Sequence, residues 1–314
     1  WRMLYTITLN PAVDKVIEIA GTLEREQNNK IKKVLYDIGG KGCHVSAVFS
    51  ALGLPNIATG FTGGRNGIKL VELMEEKNIK CEFINAGSTN TRECTILVDE
   101  SNLGSYMITE SGELPDEKAY SELILKIQKE INEDDIAALS GSPATGFPKE
   151  KYCEIVKTLK NTGAKIFKDA RDEYLKEVIN LEPFFIKPNK YEFQVLTGKK
   201  LEKTDDFIEE IQRLNEKIEI VAVSLGEEGS IVGVKDRGVY GFIPPKIEVV
   251  SETGCGDIFV GGVISKYYLK KDIEEIFRFA TAISASKAAH FLSSDFSLEQ
   301  TSKLLPLVKI KKYK

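Results

Sequence analysis

The sequence predicts an α/β protein, with a mainly parallel sheet covered by helices on both faces and a small separate β flap. Three observations lead there. From about residue 136, short apolar stretches alternate with amphipathic ones, the signature of a parallel sheet buried on both sides. Two segments, 12–37 and 89–110, interrupt that regularity with extended, polar-alternating runs and no crossover helix, which suits a flap outside the main sheet. A chain of 314 residues with 42% hydrophobic content suffices for one large core. The expected division is therefore a core of residues 1–11, 38–88 and 111–314, with a lid of 12–37 and 89–110.

Taken in order, residues 3–9 read as a first strand, and VIEIAG and KIKKVLYDI as flap strands. A helix follows over about 44–53, a strand over 56–61 and a helix over 66–77. ECTILVDE and GSYMITE complete the flap. The strand IAALSG precedes a helix over 149–161, whose apolar positions Tyr152, Ile155, Val156 and Leu159 lie on one face. Strand KIFKDA, a helix from about 173, strand PFFIKPN, helices over 190–197 and 204–216, and strand IEIVAVSL continue the alternation. Residues 231–250 lack helical periodicity and read as hairpins at the sheet edge.

The 43 basic and 47 acidic residues leave a net charge of −4, which gives no electrostatic footprint for nucleic acid. The basic run Lys309, Lys311, Lys312 and Lys314 reads as a solvated, frayed end. No apolar stretch approaches the ~20 residues that cross a bilayer, and the N-terminal MLYTITL is strand-like, not a signal segment. Five scattered cysteines without a C-x-x-C pair suit reduced thiols and a cytoplasmic location. Two histidines, His44 and His290, leave little for a His-based metal site.

Four motifs carry chemistry. In ETGCGDIFVGGVISKYYL (252–269), Gly254 and Gly256 flank Cys255 just before Asp257, and an apolar helix follows. Glycines let successive amides turn to one point at a helix N-terminus, where an anion is favoured. Asp257 there is either a functional carboxylate or a helix cap. In IGGKGCHVSAVFSALG (38–53), three glycines around Lys41 open a helix, either for close approach of a polar ligand or for packing. In KPNKYEF (187–193), Asn189 and Glu192 lie three apart, which suits either the outer shell of a hydrated Mg²⁺ or a capping box. SLGEEGS (224–230) is a glycine turn after an apolar strand, where open sheets bind ligands. No P-loop and no protein-kinase motif set occurs.

In this order the motifs resemble the ribokinase-like PfkB carbohydrate kinases, and most closely the phosphofructokinase and tagatose-6-phosphate kinase branch. TITLNPAVD (6–14), GGKGCHVS (39–46), TREC (91–94), SGSPATG (140–146), KPNKYE, SLGEEG and GCGD carry the likeness across nearly the whole chain. It implies a three-layer α/β/α core with a β-sheet lid, often a homodimer joined through the lids, and ATP with Mg²⁺ as cofactors. By this resemblance Asp257 is the general base, and the amides of Gly254, Cys255 and Gly256 form the anion hole. Asp14, Gly39, Gly40 and His44 face the sugar, with Lys41, Arg92 and Ser142 around its phosphate and Lys30 nearby. ATP lies against Ser224, Gly226, Gly229, Thr281 and Ala285, with Lys187 and Asn189 toward its phosphates; Asn189 and Glu192 reach the metal through water. The implied activity is ATP-dependent phosphorylation of a ketohexose phosphate to a bisphosphate. 1-Phosphofructokinase leads, with tagatose-6-phosphate kinase or 6-phosphofructokinase as alternatives within the class. From another class, the alternative is a non-catalytic phosphosugar sensor. Three positions depart from the family pattern: His44 for asparagine, Cys255 in the anion hole, and Glu252 before it. His44 is expected to touch the sugar and to gain charge in mildly acid medium.

Overall fold

A computed structural model describes residues 2–99, 105–169 and 172–313; part of the expected flap, residues 100–104, lies outside them. The elements begin with β1 (Leu4–Thr8), β2 (Ala12–Ile19), β3 (Ile31–Gly39), α1 (Lys41–Ala51), β4 (Asn56–Thr62) and α2 (Gly64–Glu76). Next come β5 (Lys80–Cys81), β6 (Ile84–Asn85), β7 (Arg92–Val98), β8 (Ser105–Thr109), α3 (Glu117–Glu130), β9 (Ile136–Ser140) and α4 (Lys149–Asn161). β10 (Lys165–Asp169), α5 (Asp172–Ile179), β11 (Phe185–Ile186), α6 (Lys190–Thr197), α7 (Thr204–Asn215) and β12 (Ile220–Ser224) follow. The chain closes with β13 (Ser230–Val234), β14 (Gly238–Ile243), α8 (Cys255–Tyr268), α9 (Ile273–Ala288), α10 (Leu298–Leu304) and β15 (Lys309–Lys312).

The main sheet runs β15-β14-β13-β12-β11-β10-β9-β1-β4-β5, with β6 also on β4. From β5 to β12 every pairing is parallel; β13, β14 and β15 are antiparallel. Successive strand residues point to opposite faces, and both faces are apolar. Tyr5, Ala137 and Ile166 pack with Leu123, Ile127, Ile155 and Leu159 of α3 and α4. Leu4, Ile136 and Phe167 pack with Phe49, Val260, Ile264 and Phe277 of α1, α8 and α9. Residues 257–265 of α8 are all buried, so this helix is enclosed nearly all round and fixed on every side.

A second sheet, β3-β2-β7-β8, stands apart. It is mixed and not purely antiparallel, because β2 and β7, far apart in the chain, pair in parallel. The C-terminus also departs from expectation. Instead of fraying, Lys309–Lys312 pairs with β14 and closes the sheet edge. Val308 buries its side chain, and the lysines stay on the exposed edge, where charge discourages further strand pairing. All five cysteines are free. Among the described residues no helix is long and apolar enough to cross a membrane.

Candidate active site

Strands β1, β9, β10, β11 and β12 all point their carboxyl ends at one region, where open parallel sheets bind ligands. The loops leaving them carry Asn10, Gly141, Lys187 and Leu225. α1 and α8 start at the same end.

Asp257 sits in the first turn of α8, buried, with its amide donating to the Gly254 carbonyl at 3.0 Å. Gly254 has φ of 86°, and a Cβ there would meet the Ser293 carbonyl oxygen at 2.0 Å, so both backbone conformation and space require glycine. The Cys255 amide donates to the Glu252 carbonyl at 3.2 Å. Among the described residues the Gly254 and Gly256 amides show no protein partner, which leaves them for an anion. Burial pushes the Cys255 thiol up to about 11, so it stays protonated, and Glu252 lies exposed, its charge toward solvent.

Asp14, on β2, is buried and accepts from Ser293 Oγ at 2.6 Å. Burial pushes its carboxyl up to about 6, against the opposing pull of His44 and Ser293. Gly39 lies against it: a Cβ at that position would meet Asp14 Oδ1 at 2.3 Å. Between Asp14 and Asp257 stands the ring of His44. Nδ1 is 2.6 Å from Asp257 Oδ2, Nε2 donates to the Ile38 carbonyl at 3.0 Å, and Nε2 lies 4.0 Å from Asp14 Oδ2. Both ring nitrogens therefore have protein partners, Asp257 and the Ile38 carbonyl. Burial opposes its positive charge, but the hydrogen bond and charge of Asp257, with Asp14 and Asp37 behind, push the imidazolium up to about 9. The expected titration in mildly acid medium moves to alkaline pH.

Lys41 and Lys187 converge on Asp169, which in the sequence is only the polar end of the strand KIFKDA. Lys41 Nζ lies 3.1 Å from Asp169 Oδ1 and Lys187 Nζ 3.6 Å from the same atom. Burial opposes ionisation of Asp169, but the two lysines hold its carboxyl below the usual range. A Cβ on Gly256 would lie 3.3 Å from Lys187 Nζ, so this ammonium stands over the start of α8. Beside them, burial pushes fully buried Lys168 down to about 7; its Nζ donates to the Leu139 carbonyl.

Arg92 opens β7 of the second sheet, donating to the carbonyls of Asn10 and Glu110 and contacting Cys94 Sγ. Ser142 is half-buried in the loop after β9, whereas Lys30 is exposed ahead of β3, and no contact ties it to Asp14 or Asp257. Asn189 and Glu192 form a capping box for α6: Asn189 Oδ1 accepts from the Glu192 amide and Glu192 Oε2 from the Asn189 amide, each at 2.8 Å. Asn189 also bridges to Ser224, joining two of the expected nucleotide loops. Gly226 opens a short turn that Gly229 closes, while Thr281 and Ala285 are buried on α9. Among the described residues no group of three or more His, Cys, Asp or Glu side chains is placed to hold a metal.

Three further residues carry no signal in the sequence. Ser293 links Asp14 to the Gly254 turn, and Ser294 bonds Asp37 of β3. Lys287, fully buried on α9, donates to the carbonyls of Ser251 and His290 and holds the segment ahead of the Gly254 turn. None stands in a glycine-rich or charged motif. A separate concavity lined by Lys165, Phe184, Lys217 and Lys235 opens at the amino ends of the strands, away from these groups.

The family model for pfkB family carbohydrate kinases matches residues 7–300. The 1-phosphofructokinase of Borreliella burgdorferi is 30% identical over 292 residues, 91% of this chain and 92% of that one. The tagatose-6-phosphate kinase of Staphylococcus epidermidis is 32% identical over 299 residues, covering 91% and 92%. Phosphofructokinase-2 of Escherichia coli, solved in complex with substrates and products, superposes with a TM-score of 0.91 at 24% identity, covering 98% of this chain and 99% of that one; it shares the fold.

Proposed function

We propose, for a chain that belongs to the pfkB family of carbohydrate kinases, that it phosphorylates a ketohexose phosphate to a bisphosphate at the expense of ATP, with fructose 1-phosphate as the preferred acceptor. One observation carries this reading. A buried carboxylate, Asp257, stands in the first turn of α8 beside two amides without a partner among the described residues, with Lys187 over the turn. That is an anion cradle with a base at its lip.

Phosphoryl transfer asks mainly for positioning and charge stabilisation. Asp14 and the Gly39–Gly40 backbone hold the sugar hydroxyls. The acceptor oxygen bonds to the γ-phosphorus as the bond to the β,γ-bridging oxygen breaks, and Asp257 takes the hydroxyl proton. The Gly254 and Gly256 amides and Lys187 meet the charge gathering on the transferred group, and ADP leaves. Lys41, tied to the same carboxylate as Lys187, lies between the two phosphate sites. Arg92 meets the acceptor's own phosphate from the lid. The donor set suits Mg²⁺ only at second hand: with Asn189 Oδ1 and Glu192 Oε2 engaged in capping, these two side chains would hold the ion through water. When bound, it neutralises the triphosphate. ATP lies over Ser224, Gly226, Gly229, Thr281 and Ala285.

The lid exposes Ile31, Val34 and Tyr36 on one edge strand, β3, and Tyr106 and Ile108 on the other, β8, whereas Met107 Sδ lies 3.8 Å from Thr253 Oγ1 beside the Gly254 turn. Exposed apolar side chains of this kind mark an interface, and their occupant is the lid of a second copy. The test of function is an acceptor panel of fructose 1-phosphate, fructose 6-phosphate and tagatose 6-phosphate, reading ADP release and bisphosphate formation. Fructose 1-phosphate should give the highest kcat/KM. A clear preference for another acceptor would reassign the substrate, and no ADP release with any of the three would replace the enzyme by a phosphosugar-binding protein.

A further inference from the structure

The side chains of His44 and Asp257 are 213 positions apart in the chain, and one helix crossing brings them together. His44 and Val48 lie one turn apart on α1, and Asp257 and Gly261 one turn apart on α8. A Cβ on Gly261 would meet Val48 Cβ at 2.7 Å, so glycine there is what lets the helices approach closely enough for the ring to reach the carboxylate.

The proton inventory of this contact is constrained. A carbonyl only accepts, so the 3.0 Å bond to Ile38 places a hydrogen on Nε2. The 2.6 Å contact between Nδ1 and Asp257 Oδ2 then needs a second proton between them, since two lone pairs cannot face each other at that distance. We infer that His44 is a positioning residue for the base: its imidazolium clamps Oδ2 of Asp257 and leaves Oδ1 to take the acceptor's proton, and its deprotonation removes the charge that strengthens the clamp. The inference rests on the proposed role of Asp257 and deepens it.

The groups facing the ring favour the clamped state. They are Asp257 of α8, Asp14 of β2, and Asp37 with the Ile38 carbonyl of β3. The nearby cations are engaged elsewhere: Lys77 with Asp37 at 3.6 Å, and Lys41 with Asp169. Arg92 reaches Asp14 only through its charge.

Two measurements test this. The first needs no activity. With only two histidines in the chain, ¹⁵N-histidine NMR resolves His44, assigned by a His290→Gln variant. Both ring nitrogens of His44 should be protonated at pH 7 and should titrate near pH 9; Asp257→Asn should bring that midpoint below 7. A wild-type midpoint near the ordinary ~6.5 overturns the inference, even if His44→Asn fails to fold. The second is the pH profile of kcat/KM for the acceptor. Wild type should fall on an alkaline limb with a midpoint near 9. His44→Asn keeps an amide donor but cannot titrate; it should lose less than tenfold at pH 7 and lack the limb. His44→Leu, without a donor, should lose ~10²-fold in kcat with KM for ATP little changed. An alkaline limb that persists in His44→Asn overturns the inference. A wild type with no acceptor turnover refutes the kinase reading instead, and the NMR midpoint then decides the clamp by itself.

Discussion

Asp14→Asn should make the protein more stable and a worse catalyst, with the gain dependent on pH. Burial is the main force on this carboxyl, raising it from 3.8 to about 6 despite His44 and Ser293. A folded-state pKa above the unfolded value contributes stability that is present below about 3.8 and lost as pH rises through about 6. At pH 7.5 the ionised group therefore costs the fold roughly 3 kcal/mol, because each tenfold change in proton affinity is worth ~1.36 kcal/mol. Asparagine keeps an acceptor for Ser293 and carries no charge to bury. With an unfolding entropy of ~2.1 cal/mol/K per residue, a chain of this size should gain about 4 °C in Tm. At pH 5, where the carboxyl is largely protonated in the fold, the gain should shrink by about half. The same substitution should lower kcat/KM for the acceptor by roughly 10–100-fold, the loss of a charge-assisted hydrogen bond. Thermal unfolding at the two pH values, beside initial rates at 7.5, reads all three. A variant less stable than wild type at pH 7.5 would show that Asp14 is a net structural anchor, and the reasoning from burial would fail.

Two other substitutions probe the charges around the phosphates. Asp169→Asn leaves Lys41, Lys168 and Lys187 without their shared carboxylate, so it should cost about 3–5 kcal/mol. ATP should restore more Tm to the variant than to wild type, and an equal ATP shift in both would remove the lysines from the phosphate site. Arg92→Ala should raise KM for the acceptor by about tenfold or more and leave KM for ATP within twofold. Equal effects on both would make Arg92 a lid brace, in line with its bonds to Asn10 and Glu110.

The large elements were legible because their causes are local. Apolar runs such as IAALS and IVAVS sit in strands buried on both faces, and the helix 149–161 followed from its apolar spacing. Motif positions were legible too: Asp257, the Gly254 turn, Asp14 and Lys187 meet at the carboxyl ends of the strands. What escaped depends on contacts distant in sequence. His44 gave no sign of its partner, because the pairing comes from α1 crossing α8 at Gly261. Asp169 looked like an ordinary strand end until the sheet order set β10 beside β11, bringing Lys187, and the start of α1 brought Lys41. Ser293 and Lys287 act through contacts far along the chain, which leave no mark on composition. Local chemistry misled at the C-terminus: Val308 and the edge of β14 outweigh Lys309, Lys311 and Lys312 and hold the last strand. At Asn189 and Glu192 the spacing forms the capping box, because both backbone amides lie within reach.

The claim on which the rest depends is that Asp257 takes the proton from the acceptor hydroxyl. It is tested most directly by the turnover of Asp257→Asn with a ketohexose phosphate and ATP, with nucleotide affinity measured separately by calorimetry. Asparagine preserves the size of the side chain and the first turn of α8, so ATP should bind within about twofold of wild type. kcat should fall by ~10²–10⁴-fold, the usual effect of losing a general base. A variant that keeps more than about a third of wild-type kcat, with ATP binding intact, would contradict this role and leave Asp257 as a structural partner of His44.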